Sequence, residues 1–370
     1  MIKNTENKAQ QENLITPRLH VVAWEITRSC NLYCAHCRGS ADSAHYSGEL
    51  TTGECFQLVD QIMEVGKPIL ILTGGEPLMR NDVFEIGKYA SSRGLRVVMG
   101  TNGTLISREL AAELKNIPIA RVGVSLDFPS AKLQDAFRGQ KGTLEAALAG
   151  IANARNAGIE IQINSTITSK NVDLLDELIA LALDVGAVAF HPFLLVPTGR
   201  GKDLESLELP PEQYEETLHK IHDKQQELGD RLFFKPTDVP HYMRVVKQRL
   251  KEKPATVMPG RSGHPANVIK RGCLAGTGFA FVSYLGKVKG CGYLDVEAGD
   301  VRKDSFAEIW NNSPLFQSLR NLANLKGKCG ECEYKRICGG CRARAYEATE
   351  DYLEAEPYCI YQPHRGRLEE

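Results

Sequence analysis

The sequence feature that most constrains the fold is a repeated alternation of short apolar runs with amphipathic stretches. Six runs lie between residues 20 and 196: VVAWEI (21–26), ILILT (69–73), LRVVMG (95–100), ARVGVSL (120–126), IEIQIN (159–164) and VAFHPFLLV (188–196). Stretches of helical period separate them, and three of these end at Gly66, Gly94 and Gly186. This alternation is typical of βα units around a parallel sheet. Six units predict an incomplete α/β barrel, with functional residues after the C-terminal ends of the strands.

Length and composition allow a large core and do not indicate a strongly charged partner. The 370 residues carry 45 Lys and Arg against 46 Asp and Glu, a net charge of −1, so we expect neither nucleic acid nor a membrane as partner. No apolar run is long enough to cross a bilayer, and the first 17 residues lack the apolar segment of a signal peptide. We therefore expect a cytoplasmic protein.

The pattern divides the chain into four predicted regions. Residues 1–17 are expected to form a flexible tail, and residues 18–205 the partial barrel. Residues 206–270 are predicted to be a helical connector, because a polar helical stretch is followed there by a Pro- and Gly-rich segment. Residues 271–370 combine glycine turns with cysteines and leave little room for a separate apolar core. We expect bound metal to hold that last region together.

The chain has eleven cysteines, which in a reducing compartment are more often metal ligands than disulfides. Cys30, Cys34 and Cys37 form a C-x3-C-x2-C motif directly after the first predicted strand, and we call them the first cysteine group. A structural zinc site needs a fourth ligand, and His36, the only local candidate, lies awkwardly between two of the cysteines. An iron–sulfur cluster held by three cysteines leaves one iron open to an external ligand, which suits catalysis.

This motif resembles that of the radical S-adenosylmethionine (SAM) superfamily, and the resemblance spans the whole chain. In that superfamily the motif binds a [4Fe–4S] cluster whose fourth iron takes the amino and carboxylate groups of SAM. Reduction of the sulfonium breaks its S–C5′ bond, and the 5′-deoxyadenosyl radical then takes a hydrogen atom from the substrate. The resemblance therefore implies a partial (β/α)6 radical SAM barrel that positions the reactive carbon and excludes water.

The resemblance also implies a set of SAM contacts after the later strands. Gly74, Gly75 and Glu76 follow the second strand, where the superfamily receives the SAM amino group. Arg138, in AFRG, matches the arginine that usually holds the SAM carboxylate. Each of these short motifs alone could be a turn or a helix cap. Such local roles do not explain why all of the motifs follow predicted strands. The remaining implied contacts are Thr101, Asn102, Ser125, Asp127, Asn164 and Leu195.

Seven further cysteines, between residues 273 and 359, resemble the SPASM and twitch class of auxiliary-cluster domains. The resemblance implies two cluster sites, whose cysteines are named at the end of this paragraph. A four-cysteine group holds one [4Fe–4S] cluster, and a three-cysteine group holds a second cluster with an open iron. Alternatively, one of the two groups holds zinc or is vacant. The family usually has three residues before the cysteine that corresponds to Cys341, and this chain has two. A zinc ribbon stays an alternative. Cys55 lies apart and is interpreted as a packed thiol. The four-cysteine group is Cys329, Cys332, Cys338 and Cys359, and the three-cysteine group is Cys273, Cys291 and Cys341.

Four stretches resemble the heme b synthases of the siroheme-dependent heme pathway: VAWEITRSCNLYCAHCR, FLLVPTGRGK, RGCLAGTGFAF and CGECEYKRICGGCRARAYEATEDYLEAEPYC. Those enzymes convert Fe-coproporphyrin III to heme b by oxidative decarboxylation of two propionates to vinyl groups. The related didecarboxysiroheme deacetylase and the heme d1 maturase share parts of these motifs and stay alternatives. A SPASM peptide maturase is a further alternative, against which the short N-terminal tail argues. Outside enzymes, the alternative is an iron–sulfur or zinc protein without catalytic activity.

The resemblance implies an iron–porphyrin substrate and an electron donor such as a ferredoxin or flavodoxin. Removing a hydrogen atom and CO2 from a propionate also releases an electron, which an auxiliary cluster can accept. Propionates need cationic anchors, and the motifs nearest the expected mouth of the barrel offer four candidates, although each could be a surface residue. These candidates are Arg38, Arg200, Lys202 and Arg271.

Overall fold

The computed structural model describes residues 13–252 and 271–364. Its strands are β1 (Val21–Thr27), β2 (Ile69–Gly74), β3 (Arg96–Thr101), β4 (Arg121–Ser125), β5 (Glu160–Ile167), β6 (Ala189–Leu194), β7 (Phe233–Phe234), β8 (Phe279–Val282), β9 (Lys287–Lys289) and β10 (Glu297–Asp300). Its helices are α1 (Thr52–Val65), α2 (Val83–Ser92), α3 (Arg108–Asn116), α4 (Ala131–Arg138), α5 (Thr143–Asn156), α6 (Leu175–Asp184), α7 (Pro211–Leu228), α8 (His241–Glu252), α9 (Phe306–Asn312), α10 (Pro314–Arg320), α11 (Gly327–Glu331) and α12 (Arg342–Thr349).

Strands β1 to β6 lie side by side in chain order, and each pair is parallel. Each of them forms from one of the six apolar runs, and the structure extends β5 to Ile167. The intervening helices pack an apolar side on the sheet, as α1 does with Cys55, Leu58 and Ile62. The parallel α/β architecture predicted from the sequence is therefore confirmed, and the loops that follow β1 to β6 lie at one end of the sheet.

The sheet continues on both sides of these six strands, which was not predicted. Phe233–Phe234, within the predicted connector, forms β7 and pairs in parallel with β6. In the C-terminal region β8 pairs in parallel with β1, and β9 and β10 follow in antiparallel order. Without these strands β1 and β6 would be edges with unpaired backbone groups. Residues 253–270 of the connector and residues 1–12 of the predicted tail lie outside the described residues.

The C-terminal region shares the core of the barrel. Phe306, Trp310 and Phe316 are buried in the same apolar cluster as Trp24 and Leu58. This agrees with a region that has little room for a core of its own, and it fixes that region against β1. No helix in the described part of the chain is long and apolar enough to cross a bilayer.

Two helical glycines allow a matched test of how tightly helix α5 packs. A Cβ on Gly150 would lie 2.0 Å from the carbonyl oxygen of Gly103, whereas a Cβ on Gly53 would meet nothing within 4 Å. We expect Gly150→Ala to lower the free energy of unfolding by about 1–3 kcal/mol through overpacking. Gly53→Ala should raise it by up to about 1 kcal/mol, since alanine loses less conformational entropy in a helix. Urea unfolding followed by circular dichroism measures both, and equal effects would contradict the close contact.

Candidate functional site

The first cysteine group lies in the loop that follows β1. Cys30 and Cys34 are buried, and Cys37 is half-buried. Nitrogen donors face each sulfur: Leu32 N lies 3.4 Å from Cys30 Sγ, Ala41 N lies 3.3 Å from Cys37 Sγ, and Arg138 Nη1 lies 3.8 Å from Cys34 Sγ. Burial raises the pKa of the Cys30 thiol to about 12. Donors that face sulfur stabilise thiolates bound to metal, so the loop is suited to an iron–sulfur cluster.

His36 lies in this loop but is held by stacking. Its ring packs on that of Phe137, with centroids 4.3 Å apart and planes 10° apart. Burial lowers the pKa of His36 to about 4, so the ring is neutral at physiological pH. The stacked ring fits the interpretation of His36 as a neighbour of the ligands and not as a fourth ligand.

The turn after β2 packs directly against the backbone that leads into the cysteine motif. Gly75 N donates to Thr27 O and Glu76 N donates to Ser29 O, both at 2.8 Å. A Cβ on Gly74 would lie 2.3 Å from Thr27 O, and one on Gly75 would lie 2.3 Å from Ser29 O. Only glycine allows this approach, so the two glycines set the position of the cysteine loop relative to β2.

Glu76 is completely buried and joins the turns that follow β2 and β3. Its carboxylate accepts hydrogen bonds from Thr101 Oγ1 at 2.7 Å, Asn102 N at 2.8 Å and Leu78 N at 3.2 Å. Burial raises the pKa of Glu76 to about 7, against the effect of these donors. The structure thus brings Glu76, Thr101 and Asn102 together, and a cation bound beside them would favour the ionised carboxylate.

Asp127 and Arg138 form a buried ion pair behind the cysteine loop. Arg138 Nη2 lies 2.5 Å from Asp127 Oδ2, and Thr166 N donates to Asp127 Oδ1 at 2.8 Å. The guanidinium therefore reaches from Asp127 to Cys34, and its buried Nε has no hydrogen-bond partner within residues 13–252 and 271–364. A guanidinium with a spare donor next to the thiols can bind a carboxylate of a ligand.

The other predicted SAM contacts lie at the same end of the sheet. Ser125 and Asn164 are partners in the register of β4 and β5. Leu195 follows β6 and is buried with Phe128 and Phe137, which makes an apolar patch suited to a flat aromatic group. The site therefore fits a [4Fe–4S] cluster with SAM. It combines thiols that face nitrogen donors, a guanidinium with a spare donor, and an apolar patch.

The seven C-terminal cysteines separate into the two groups that the resemblance implies. All members of the four-cysteine group line one cavity, together with His241 and Arg244. In the three-cysteine group, the thiols of Cys291 and Cys341 both interact electrostatically with that of Cys273. This interaction supports the three-cysteine group, and the role of Cys341 as a ligand stays a prediction. Over the described ranges no three Cys, His, Asp or Glu side chains form a site for a single metal ion, and all eleven cysteines are free thiols.

A buried ion pair that sequence reasoning missed lies between these two groups. Glu356 lines the cavity of the four-cysteine group, and its Oε2 accepts a hydrogen bond from Cys341 N at 2.7 Å. Arg344 Nη1 lies 3.4 Å from Glu356 Oε1, and Arg344 Nη2 donates to Leu195 O at 3.1 Å. Both side chains are essentially inaccessible to solvent. The pair thus connects both groups to the end of β6. Its two residues are 12 apart in the chain, but no spacing in the sequence showed that both side chains are buried.

All four predicted substrate anchors have protein partners. Arg38 Nη2 pairs with Glu25 at 2.9 Å, and its guanidinium lies 4.6 Å from the centre of the Phe281 ring. Arg200 donates from Nε to Cys34 O at 2.9 Å and stacks on Tyr33 at 3.8 Å. Both arginines therefore hold the cysteine loop. Lys202 is 70 % exposed and lies 3.4 Å from Glu347.

The expectation that Arg271 lies near the mouth of the barrel is wrong. Its Nε donates to Cys273 O at 2.9 Å and its Nη1 to Lys335 O at 3.1 Å. It lines a hollow with His20 and Gly278, which directly precede β1 and β8. Arg271 therefore faces the N-terminal ends of these strands, while Cys30 follows a C-terminal end. Its guanidinium organises the loops of the C-terminal cysteines, because those loops supply the carbonyls that it binds.

Two family models and several known proteins match this chain. Residues 24–182 match the radical SAM superfamily, and residues 273–342 match an iron–sulfur cluster-binding domain, SPASM. The chain is 49 % identical to an AdoMet-dependent heme synthase of Methanosarcina barkeri, over 94 % of this chain and 97 % of that protein. It is 33 % identical to an Fe-coproporphyrin III synthase of the same organism, over 92 % and 87 %. The crystal structure of Streptococcus suis SuiB bound to S-adenosylmethionine has the same fold, with a TM-score of 0.73 at 15 % identity over 97 % of this chain and 82 % of that one.

The Arg344–Glu356 pair can be tested by removing first one charge and then both. Arg344→Met leaves the buried Glu356 carboxylate without its cation, which should lower the free energy of unfolding by about 3–5 kcal/mol. The double variant Arg344→Met, Glu356→Gln should recover part of this loss, because the uncompensated charge is gone. Thermal unfolding midpoints of the anaerobically purified proteins measure both effects. A double variant no more stable than Arg344→Met would contradict the pairing.

Proposed function

Because the chain belongs to the radical SAM superfamily and carries a SPASM iron–sulfur domain, we propose that it is a heme synthase acting on Fe-coproporphyrin III. The reaction is the oxidative decarboxylation of two propionates to vinyl groups, which yields heme b. The observation that carries this proposal is the 49 % identity to an AdoMet-dependent heme synthase over 94 % of the chain. The identity to an Fe-coproporphyrin III synthase is 33 %, which favours the heme synthase.

The cofactors are SAM, a [4Fe–4S] cluster and auxiliary iron–sulfur clusters. When bound, SAM and its cluster supply a single electron and an acceptor for a hydrogen atom. We assign the first cysteine group as ligands of that cluster. The four-cysteine group has the donors for a complete auxiliary cluster, and the three-cysteine group those for a second with an open position.

The polar residues behind the first cysteine group orient SAM in this proposal. Arg138 binds its carboxylate through the donors that Asp127 leaves free. The turn from Gly74 to Glu76 receives its amino group, and Thr101 and Asn102 hold Glu76 in place. The remaining assigned contacts are Ser125 and Asn164 for the ribose or methionine moiety, and Leu195 for the adenine.

Each propionate that becomes a vinyl group loses a hydrogen atom, CO2 and one electron. We assign the three-cysteine group as the place that accepts this electron. In support, the Arg344–Glu356 pair links Cys341 to the end of β6, where SAM and substrate would meet. The primary electron comes from a donor such as a ferredoxin or flavodoxin. A cytoplasmic location suits a chain in which none of the eleven cysteines forms a disulfide.

The activity test combines the anaerobically reconstituted protein, SAM, a reductant and Fe-coproporphyrin III. We expect 5′-deoxyadenosine and heme b, with an intermediate that carries one vinyl group, all quantified by liquid chromatography and mass spectrometry. If 5′-deoxyadenosine forms without a vinyl-bearing product, the substrate assignment is wrong while the superfamily assignment stands. If the reconstituted protein is colourless and loaded with zinc, the cluster assignment is also wrong.

The assignment of cluster ligands can be tested with two buried cysteines. Cys30→Ala should lose the iron of one cluster and all 5′-deoxyadenosine formation, because a ligand thiolate is gone. Cys55→Ala is the matched control, since Cys55 is completely buried in helix α1 and apart from both sets of cysteines. It should keep its iron content and activity. Iron and sulfide analysis with electron paramagnetic resonance distinguishes the outcomes, and equal iron loss in both variants would overturn the assignment.

A further inference from the structure

The side chains of β5 to β7 alternate between the core and the interior of the barrel. Ile161, Ile163, Phe190 and Phe234 are fully buried in the core. The intervening side chains are only half-buried, so they face an interior space instead: Gln162, Asn164, His191 and Phe233. Gln162 Nε2 donates to Asn164 Oδ1 at 2.7 Å and lies 3.0 Å from His191 Nδ1.

Lys235 continues this interior row directly after β7. Its backbone nitrogen donates to Phe190 O at 3.2 Å, so the chain still runs beside β6 at this point. Lys235 lies two residues after Phe233, so its side chain points to the same side of the strand as the Phe233 ring. It is likewise half-buried. Lys235 therefore places an ammonium group on the inner side of the barrel, next to an aromatic ring and a row of polar side chains.

The Lys235 ammonium makes no direct contact with any carboxylate that the structure describes. Over residues 13–252 and 271–364 it makes no hydrogen bond and no ion pair. Burial lowers its pKa, and only the charge of Asp238 opposes this effect. The side chain is half-buried and not enclosed, so an anion inside the barrel can approach the ammonium and pair with it. Lys235 thus offers a cation without an ion-pair partner among the described residues, on the inner side of the barrel.

The anion that pairs with Lys235 is not the SAM carboxylate, which is expected at the first cysteine group. The thiols of Cys30 and Cys34 interact electrostatically with each other and with Cys37. The other charges that act on them are those of Glu76, Arg138 and Asp127. Lys235 acts instead on His20 and Asp238. It also lies beside β7, beyond β6 in the sheet, whereas Arg138 lies after β4. Lys235 is therefore available to a second ligand that carries its own carboxylate.

We propose that the Lys235 ammonium binds a propionate carboxylate of the porphyrin substrate inside the barrel, with the Phe233 ring against an apolar part of the macrocycle. Lys235 is thereby a substrate-positioning residue, and none of the anchors predicted from the sequence included it. The inference rests on the proposed function, because it takes the carboxylate from Fe-coproporphyrin III. A structural role, in which Lys235 only balances the charge of Asp238, is the competing explanation.

Binding of Fe-coproporphyrin III to the reconstituted protein with SAM tests the inference. Lys235→Met keeps the length of the side chain and removes its charge, Lys235→Arg keeps the charge, and Lys303→Met removes an exposed lysine as the control. We expect Lys235→Met to weaken binding about tenfold or more, because a charge-assisted hydrogen bond is lost. Lys235→Arg should retain most of the affinity, and Lys303→Met all of it. The fully esterified porphyrin should bind Lys235→Met and wild type equally.

Thermal unfolding separates the two explanations. If Lys235 positions substrate, Lys235→Met should unfold at the same temperature as wild type or at a higher one, since the substitution breaks no ion pair or hydrogen bond of the ammonium. A lower unfolding temperature together with unchanged porphyrin affinity would establish the structural role and overturn the inference.

A labelling experiment tests the wild-type protein without any substitution. Reductive methylation of Lys235, followed by mass spectrometry, should slow when Fe-coproporphyrin III is added, while Lys303 should react at an unchanged rate. Unchanged labelling of Lys235 by a protein that converts Fe-coproporphyrin III would overturn this inference and leave the proposed function intact. A wild-type protein that neither binds nor converts the porphyrin would overturn both.

Discussion

The close approach of the β2 turn to the end of β1 is the contact on which the rest of the site depends. Gly74 and Gly75 lie so near the carbonyls of Thr27 and Ser29 that no larger residue fits. Two backbone hydrogen bonds hold the turn there. Because the cysteine motif follows immediately, this contact sets where the thiols lie relative to every later strand. A shift of the turn would move Glu76 away from Thr101 and the thiols away from Arg138.

The charged groups of the site are buried, and most of them are paired with hydrogen-bond donors or with an opposite charge. Desolvating a charge costs several kcal/mol unless hydrogen bonds or an opposite charge replace the water. Glu76 has three donors, Asp127 has Arg138, and Glu356 has Arg344. These pairs connect neighbouring strand ends and so keep the loops in register around a space that a ligand can occupy. Lys235 differs from these groups because, in the described part of the chain, its ammonium makes no hydrogen bond and no ion pair.

Much of the fold follows from local patterns that are readable in the sequence. Each of the six apolar runs becomes a strand, because short apolar runs that alternate with helical segments have few other stable arrangements. Residues that follow these strands must then meet at one end of the sheet. This is why the predicted SAM contacts, from Glu76 to Leu195, lie together. The division of the seven C-terminal cysteines rests on a family resemblance, and the role of Cys341 as a ligand stays a prediction.

The sequence by itself determined the parallel βα architecture, the chemistry of the thiol groups and the family to which the chain belongs, because these depend on the order and type of nearby residues. Only the tertiary structure decided which polar groups are already paired. It showed Arg38 and Arg200 holding the cysteine loop, Arg271 facing the opposite strand ends, and Lys235 left unpaired inside the barrel. The physical reason is that the availability of a charge depends on its neighbours in space, which here come from segments far apart in the chain. The pairing of β8 with β1, and of Arg344 with the end of β6, depends on such distant segments in the same way.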